Sequence, residues 1–274
     1  MVILLHVVVA ALYAAAALAL WPTGAPPAPR HRGAGRLLLA AALVVHAFAT
    51  WNAVVRRDGL DLSFVNAMSL VAGLAVLVAW VTGILRTLPA VIPVVLPVTA
   101  VCALLPPIAS STFRFSYADE PWAATHIAVA LVGYALLAVV ALQALVMMGL
   151  ERRLHRAIPD VARAAAAPLL TLERYLFRLI GAGFVLLTAT LASGILFSEQ
   201  LFGKPFTLTQ KNLFSVAGWL VFGVLLFGRW RYGWRGRTAL KWILGGSVLL
   251  ALGYLGSKFV VAVIGNEPAW MTSR

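Results

Sequence analysis

AATHIAVALVGYALLAVVALQALVMMGL, residues 123–150, contains no Asp, Glu, Lys or Arg. A bilayer core about 30 Å thick takes about 20 residues of helix, so this one stretch is long enough to cross it. Lipid gives the backbone no hydrogen-bond partner, which leaves helices or a closed barrel. Barrel strands would be about half as long and would alternate apolar with polar residues, and this stretch does neither. Working outward, seven more apolar stretches follow the same pattern: Val2–Trp21, Leu37–Val55, Leu62–Leu85, Leu88–Ile108, Tyr175–Phe197, Leu213–Phe227 and Ala239–Ile264. The sequence therefore predicts an all-α polytopic membrane protein with eight transmembrane helices. Its 62% hydrophobic and 11% charged residues fit no water-soluble globular class. The breaks between spans are too short for a soluble domain, so residues 1–274 read as a single membrane domain.

The net charge of +13 invites a nucleic-acid reading, but its placement argues for topology. With the amino terminus outside, the loops after spans one, three, five and seven face the cytoplasm. Those loops and their flanks run from Arg30 to Arg36, then Arg86, Arg152 to Arg178, and Arg229 to Lys241. They hold 15 of the 22 basic residues against three acids, Glu151, Asp160 and Glu173. This is the positive-inside pattern, and it predicts both termini on the outer, periplasmic side of a bacterial inner membrane. Attraction to anionic lipids follows as a side effect. No nucleic acid is expected as a partner; GRWRYGWRGR, residues 228–237, reads as interfacial aromatics plus inner-face charge.

Cys102 is the only cysteine and lies in the fourth span. There is no CxxC redox pair and no CxxCH for covalent haem, and a lone buried cysteine is an apolar filler. The first span lacks a basic start and exceeds the apolar length of a signal peptide, so it reads as a retained helix. Pro89, Pro93 and Pro97 recur on one face of span four and predict a bent helix. Gly181, Gly183, Gly245 and Gly246 predict close helix approach.

All nine acids fall in loops or at span ends, which argues against an ion-coupled transporter. The polar groups inside the spans are His6, His46, His126 and Lys258, with the amides Asn52, Asn66 and Gln143. His46 lies about ten residues into span two, near the midplane at about 1.5 Å per residue. It is either a core histidine bonded to a neighbouring helix or a ligand to metal or haem. His126 opens span five just inside the outer interface, with Trp122 one turn before it. Lys258 lies near the outer end of span eight, where it either snorkels outward or faces a carboxylate such as a haem propionate. At their different depths His46 and His126 do not clamp the same iron.

Four segments carry a family likeness in order: HIAVALVGYALLAVVALQAL (126–145), LERYLFRLIGAGFVLLTATLASGILF (172–197), WRGR (234–237) and LGYLGSK (252–258). Together they resemble the cytochrome c assembly family, the CcsA, CcmC and HemX-like haem-handling membrane proteins. The resemblance implies a core over about 37–264 with an extra first helix at 2–21. It implies haem held non-covalently, as a b-type group, near the outer surface for cytochrome c maturation. His126 takes the external ligand position and His46 the deeper, membrane-embedded one; Trp122 and Lys258 are candidate cofactor-binding residues from their positions near the outer ends of their spans. Cytochrome c maturation proteins are the implied partners.

The chain departs from that pattern in three places. SEQLFGKPFTLTQKN, residues 198–212, stands where the family has a tryptophan-rich WGxxWxWD segment. No histidine follows span eight, where the tail reads GNEPAWMTSR, and none ends span seven, where the chain reads LFGRWRYGW. Each implied site keeps one histidine of two. No nucleophile, base and acid gather on one surface, so an enzyme is not expected. The open readings are a haem-binding protein, a regulatory or partner-binding subunit, and a transport accessory without haem.

Overall fold

The computed structural model describes residues 2–22, 29–56, 59–108, 114–115, 121–154, 159–196 and 209–263. It is helical throughout its body. The helices are α1 (Val2–Ala19), α2 (Pro29–Val54), α3 (Phe64–Val81), the short α4 (Ile84–Thr87), α5 (Ile92–Ile108), α6 (Pro121–Leu154), α7 (Pro159–Leu196), α8 (Gln210–Tyr232) and α9 (Gly236–Val263). Among the described residues six helices are long and apolar enough to cross a membrane: Gly33–Val54, Phe64–Val81, Pro89–Ile108, Trp122–Arg152, Leu170–Leu196 and Asn212–Tyr232. Ile3–Ala19 is a shorter apolar helix.

Four differences from the sequence reading have local causes. The connection between α2 and α3 pairs with a later segment as a small antiparallel sheet of β1 (Val55–Arg56), β2 (Gly59–Asp61) and β3 (Arg114–Phe115). Its register sets Val55 against Leu60, Leu60 against Phe115 and Asp61 against Arg114. The third expected span ends early, because Gly83 adopts φ 76 after Val81 and turns the chain into α4. The proline-rich fourth span begins as a 3-10 turn, Pro89–Val91, with α5 following directly. Pro89 and Pro93 thus sit at helix starts, where no intrahelical N–H is needed. Only Pro97, Pro106 and Pro107 fall inside the helix. The basic loop expected between spans five and six is also mostly helix, since α6 extends to Leu154 and α7 starts at Pro159.

The chain forms two compact units, residues 1–190 and 191–274. In the first, α1 packs on α2 and α5, and α3 packs on α2, α5 and α6. α2 shows how these helices sort their faces. Leu37, Val44, Phe48 and Trp51 are exposed on one stripe, while Leu39, Ala42, His46, Ala49 and Ala53 are buried on the other. The exposed stripe is apolar and the buried one holds small and polar residues, the reverse of a soluble helix and the order a bilayer favours.

Glycines set how closely the helices approach. A Cβ on Gly183 would lie 2.9 Å from Leu137 Cδ2 across the α6–α7 contact. In the second unit, a Cβ on Gly246 would lie 2.9 Å from the Phe222 ring, whereas one on Gly245 would meet nothing within 4 Å. α8 and α9 therefore meet along the Gly246 face. Gly246→Ala is expected to lower the thermal midpoint in detergent by an overpacking cost of about 1–3 kcal/mol, and Gly245→Ala to leave it within about 0.5 kcal/mol. Equal midpoints for the two variants would contradict the packing.

Candidate functional site

Among the described residues, the buried face of α2 carries one titratable group, His46, at 2% exposure. A ring there has no water to bond, so its two nitrogens need partners from other helices. α1 supplies the first. Tyr13 is fully buried, and its hydroxyl lies 3.1 Å from His46 Nδ1. The two rings meet edge to face, with centroids 5.5 Å apart and planes at 82°. α3 supplies the second, since Ser69 Oγ lies 2.9 Å from Nε2. One turn on, Gly73 lets α3 lie directly against the imidazole: a Cβ there would be 2.9 Å from both Cε1 and Nδ1. Thr50 Oγ1 donates to the His46 carbonyl within α2.

Tyr13, His46 and Ser69 thus form one hydrogen-bonded chain across three helices. His6 is seven residues before Tyr13 on the same stripe of α1. It is 1% exposed. Neutral imidazole has one N–H, so the chain has two polarities. Either Tyr13 donates to Nδ1 and Nε2–H donates to Ser69, or both bonds run the other way.

The other sequence-identified residues are dispersed. His126 is half-buried near the start of α6, with Trp122 67% exposed one turn earlier. Lys258 lies on α9, with its side chain outside the described residues. Cys102 is buried and reduced on α5. Asn52 Nδ2 donates to the Phe48 carbonyl, 2.7 Å away, and Asn66 Nδ2 donates to the Asp61 carbonyl at 3.1 Å. Gln143, fully buried, donates from Nε2 to the Leu172 carbonyl at 3.1 Å and ties α6 to α7. Among the described residues no three His, Cys, Asp or Glu side chains gather as ligands for a metal ion. Tyr13 and Ser69 escaped the sequence reading. The signal for Tyr13 was its seven-residue spacing from His6, and for Ser69 its four-residue spacing from Gly73.

A model of the cytochrome c assembly protein family matches residues 34–264. The chain belongs to this family. It is 29% identical over 225 residues to the inner membrane protein YpjD of Escherichia coli K12, covering 81% of this chain and 84% of that protein. It is 34% identical over 179 residues to a 28.8 kDa protein from the nifR3-like 5′ region of Azospirillum brasilense, covering 65% and 66%. The cytochrome c biogenesis protein CcsA of Gloeobacter violaceus is 31% identical over 104 residues, covering 38% of this chain and 30% of CcsA. No solved structure matches. The chain is accordingly a multi-pass inner-membrane protein. The family match starts inside α2, so the helix that supplies Tyr13 and His6 precedes the matched region.

The three-helix chain sets a stability expectation. Tyr13→Phe leaves a ring nitrogen of His46 unpartnered and is expected to cost about 1–3 kcal/mol of thermal stability in detergent. Ser69→Ala does the same at the other nitrogen. Because the two hydroxyls share one imidazole, the double variant is expected to depart from additivity by about 0.5 kcal/mol or more. Additive losses would show that the ring does not couple them.

Proposed function

We propose that this protein handles haem in cytochrome c biogenesis, with eight transmembrane helices and both termini on the outer face. The family match over residues 34–264 carries the reading. The donor set supports porphyrin iron over a bare metal ion. Bare zinc or a similar cation takes three or four protein ligands, and no such group gathers among the described residues. A porphyrin brings four nitrogens of its own and asks the protein for only one or two axial ligands. Single, dispersed histidines are enough for that.

Of the two candidate histidines, His126 fits better. It is half-buried at the end of a helix, beside the exposed indole of Trp122. In this reading His126 would hold the iron and Trp122, one turn before it, would line the place of the macrocycle. His46 is enclosed between Tyr13, Ser69 and Gly73, and both of its nitrogens are engaged by hydroxyls. It reaches iron only if Ser69 leaves Nε2 and α3 draws away. Bound haem would supply an exchangeable iron centre; the chain supplies the imidazole that holds it and the aromatic surface that orients it. Maturation proteins would receive the cofactor at the outer surface.

Protein purified from haem-replete cells, or titrated with haemin, is expected to show a Soret band. His126→Ala should remove at least about four-fifths of that absorbance, while His46→Ala should leave most of it. A colourless wild type after added haemin would overturn the haem reading. A Soret band lost in His46→Ala but kept in His126→Ala would move the ligand to the deep position.

A further inference from the structure

The second unit carries a charge pattern that haem handling does not use. From Gln200 to Asn266 the chain has no Asp or Glu. Within that interval Arg229, Arg231, Arg235, Arg237 and Lys241 crowd into the passage from α8 to α9.

The passage is a built turn. Gly233 adopts φ 66, a left-handed conformation that favours glycine, and its N–H donates to the Arg229 carbonyl at 3.2 Å. The Trp234 N–H reaches back to the Gly228 carbonyl at 3.3 Å. Gly228 admits the Trp234 indole so closely that a Cβ would lie 2.5 Å from it, and the Trp234 and Trp242 rings are 5.4 Å apart. Arg229 Nη1 donates to the Trp234 carbonyl at 3.1 Å, so this guanidinium is used inside the turn.

The other four cations, Arg231, Arg235, Arg237 and Lys241, are all exposed. Beside them Trp230 is 80% and Tyr232 66% exposed. The Arg231 guanidinium lies 5.7 Å from the centre of the Tyr232 ring. α8 is apolar and long enough to cross a bilayer as far as Tyr232, which puts the turn where that helix leaves the hydrocarbon. Exposed Trp and Tyr prefer this depth, and phosphate is the charge found there. A soluble nucleic acid would have to lie against lipid phosphates of its own sign to reach the same four cations.

We propose that the α8–α9 turn is a docking site for the phosphate headgroups of anionic phospholipids. Arg231, Arg235, Arg237 and Lys241 take the phosphates, and Trp230 and Tyr232 fix the depth. The rigid turn makes this a local site and not only a consequence of net charge.

The test uses the full chain in mixed micelles of phosphatidylglycerol and phosphatidylcholine, with retained lipid counted by native mass spectrometry. Wild type is expected to retain phosphatidylglycerol preferentially, and added sodium chloride should weaken that preference. Combined Arg231→Gln, Arg235→Gln, Arg237→Gln and Lys241→Gln should reduce it about tenfold or more. Neutralising four cations elsewhere, Arg30, Arg32, Arg36 and Arg152, should change it less than about twofold. Replacing the three arginines by lysine keeps charge and orientation and should retain the preference, a check in case the neutral variant misfolds. Equal losses from the two neutralised sets, or no lipid preference in wild type, would overturn the proposal. Displacement of the lipid by an RNA oligonucleotide or an acidic peptide at micromolar concentration would overturn it in favour of that partner. The Soret test reads a different property of the same samples, so either idea can fail alone.

Discussion

Inside a bilayer a polar group has no water to fall back on, so this chain meets most such needs from within, Gln143 Oε1 being a described atom without a partner. The simplest cases are solved within one helix. Thr99, Thr188, Thr190 and Ser247 each donate to the carbonyl four residues earlier, at 2.7–2.8 Å. An imidazole has no such local solution for two ring nitrogens. His46 therefore recruits Tyr13 from α1 and Ser69 from α3, and meeting that need fixes how three helices sit against one another. Leaving either nitrogen bare would cost as much as a sizeable share of the stability of an ordinary domain.

The same constraint explains what the sequence made legible. Spans announce themselves because a crossing helix must be long and apolar, and the six long apolar helices lie on six of the expected stretches. The small sheet was not legible. β1 and β2 are two and three residues long, and β3 comes from a segment more than fifty residues later. The proline spacing in span four was visible, but its effect was not. Whether a proline bends a helix depends on whether it falls inside or at the start, and the chain restarts at Pro89 and Ile92. His46 and His126 were visible as unusual residues. Their partners were not, because spacing along one helix tells which face a residue occupies and not which helix faces it. Tyr13 on an alanine-rich helix reads as core until α1 is seen against α2.

Glycine placement has the same limit. Gly245 and Gly246 are neighbours in sequence, yet only Gly246 faces Phe222. A run of small residues predicts that close packing occurs on a helix; the direction of the partner decides which member of the run is needed. Gly73 illustrates the functional side of this. Its missing side chain is what allows α3 to lie on the His46 ring, so a glycine on one helix enforces the enclosure of a histidine on another.

That enclosure bears on how a chain with one histidine per implied site would work with haem. Giving up the Ser69–Nε2 bond is a modest cost, on the order of 1–3 kcal/mol for one buried hydrogen bond. Making room is harder. A macrocycle cannot approach Nε2 while Ser69 and Gly73 hold α3 against the ring, and Tyr13 holds α1 against its other side. Separating those helices gives up the packing of α1 on α2 and of α3 on α2 together. In the proposed reading the deep histidine thus works as a clamp between helices, and iron goes to the half-buried His126. A carrier that must give its cofactor up is better served there. In that reading His126 would hold the group by a single side chain, which would make it easier to hand on than a group held by two.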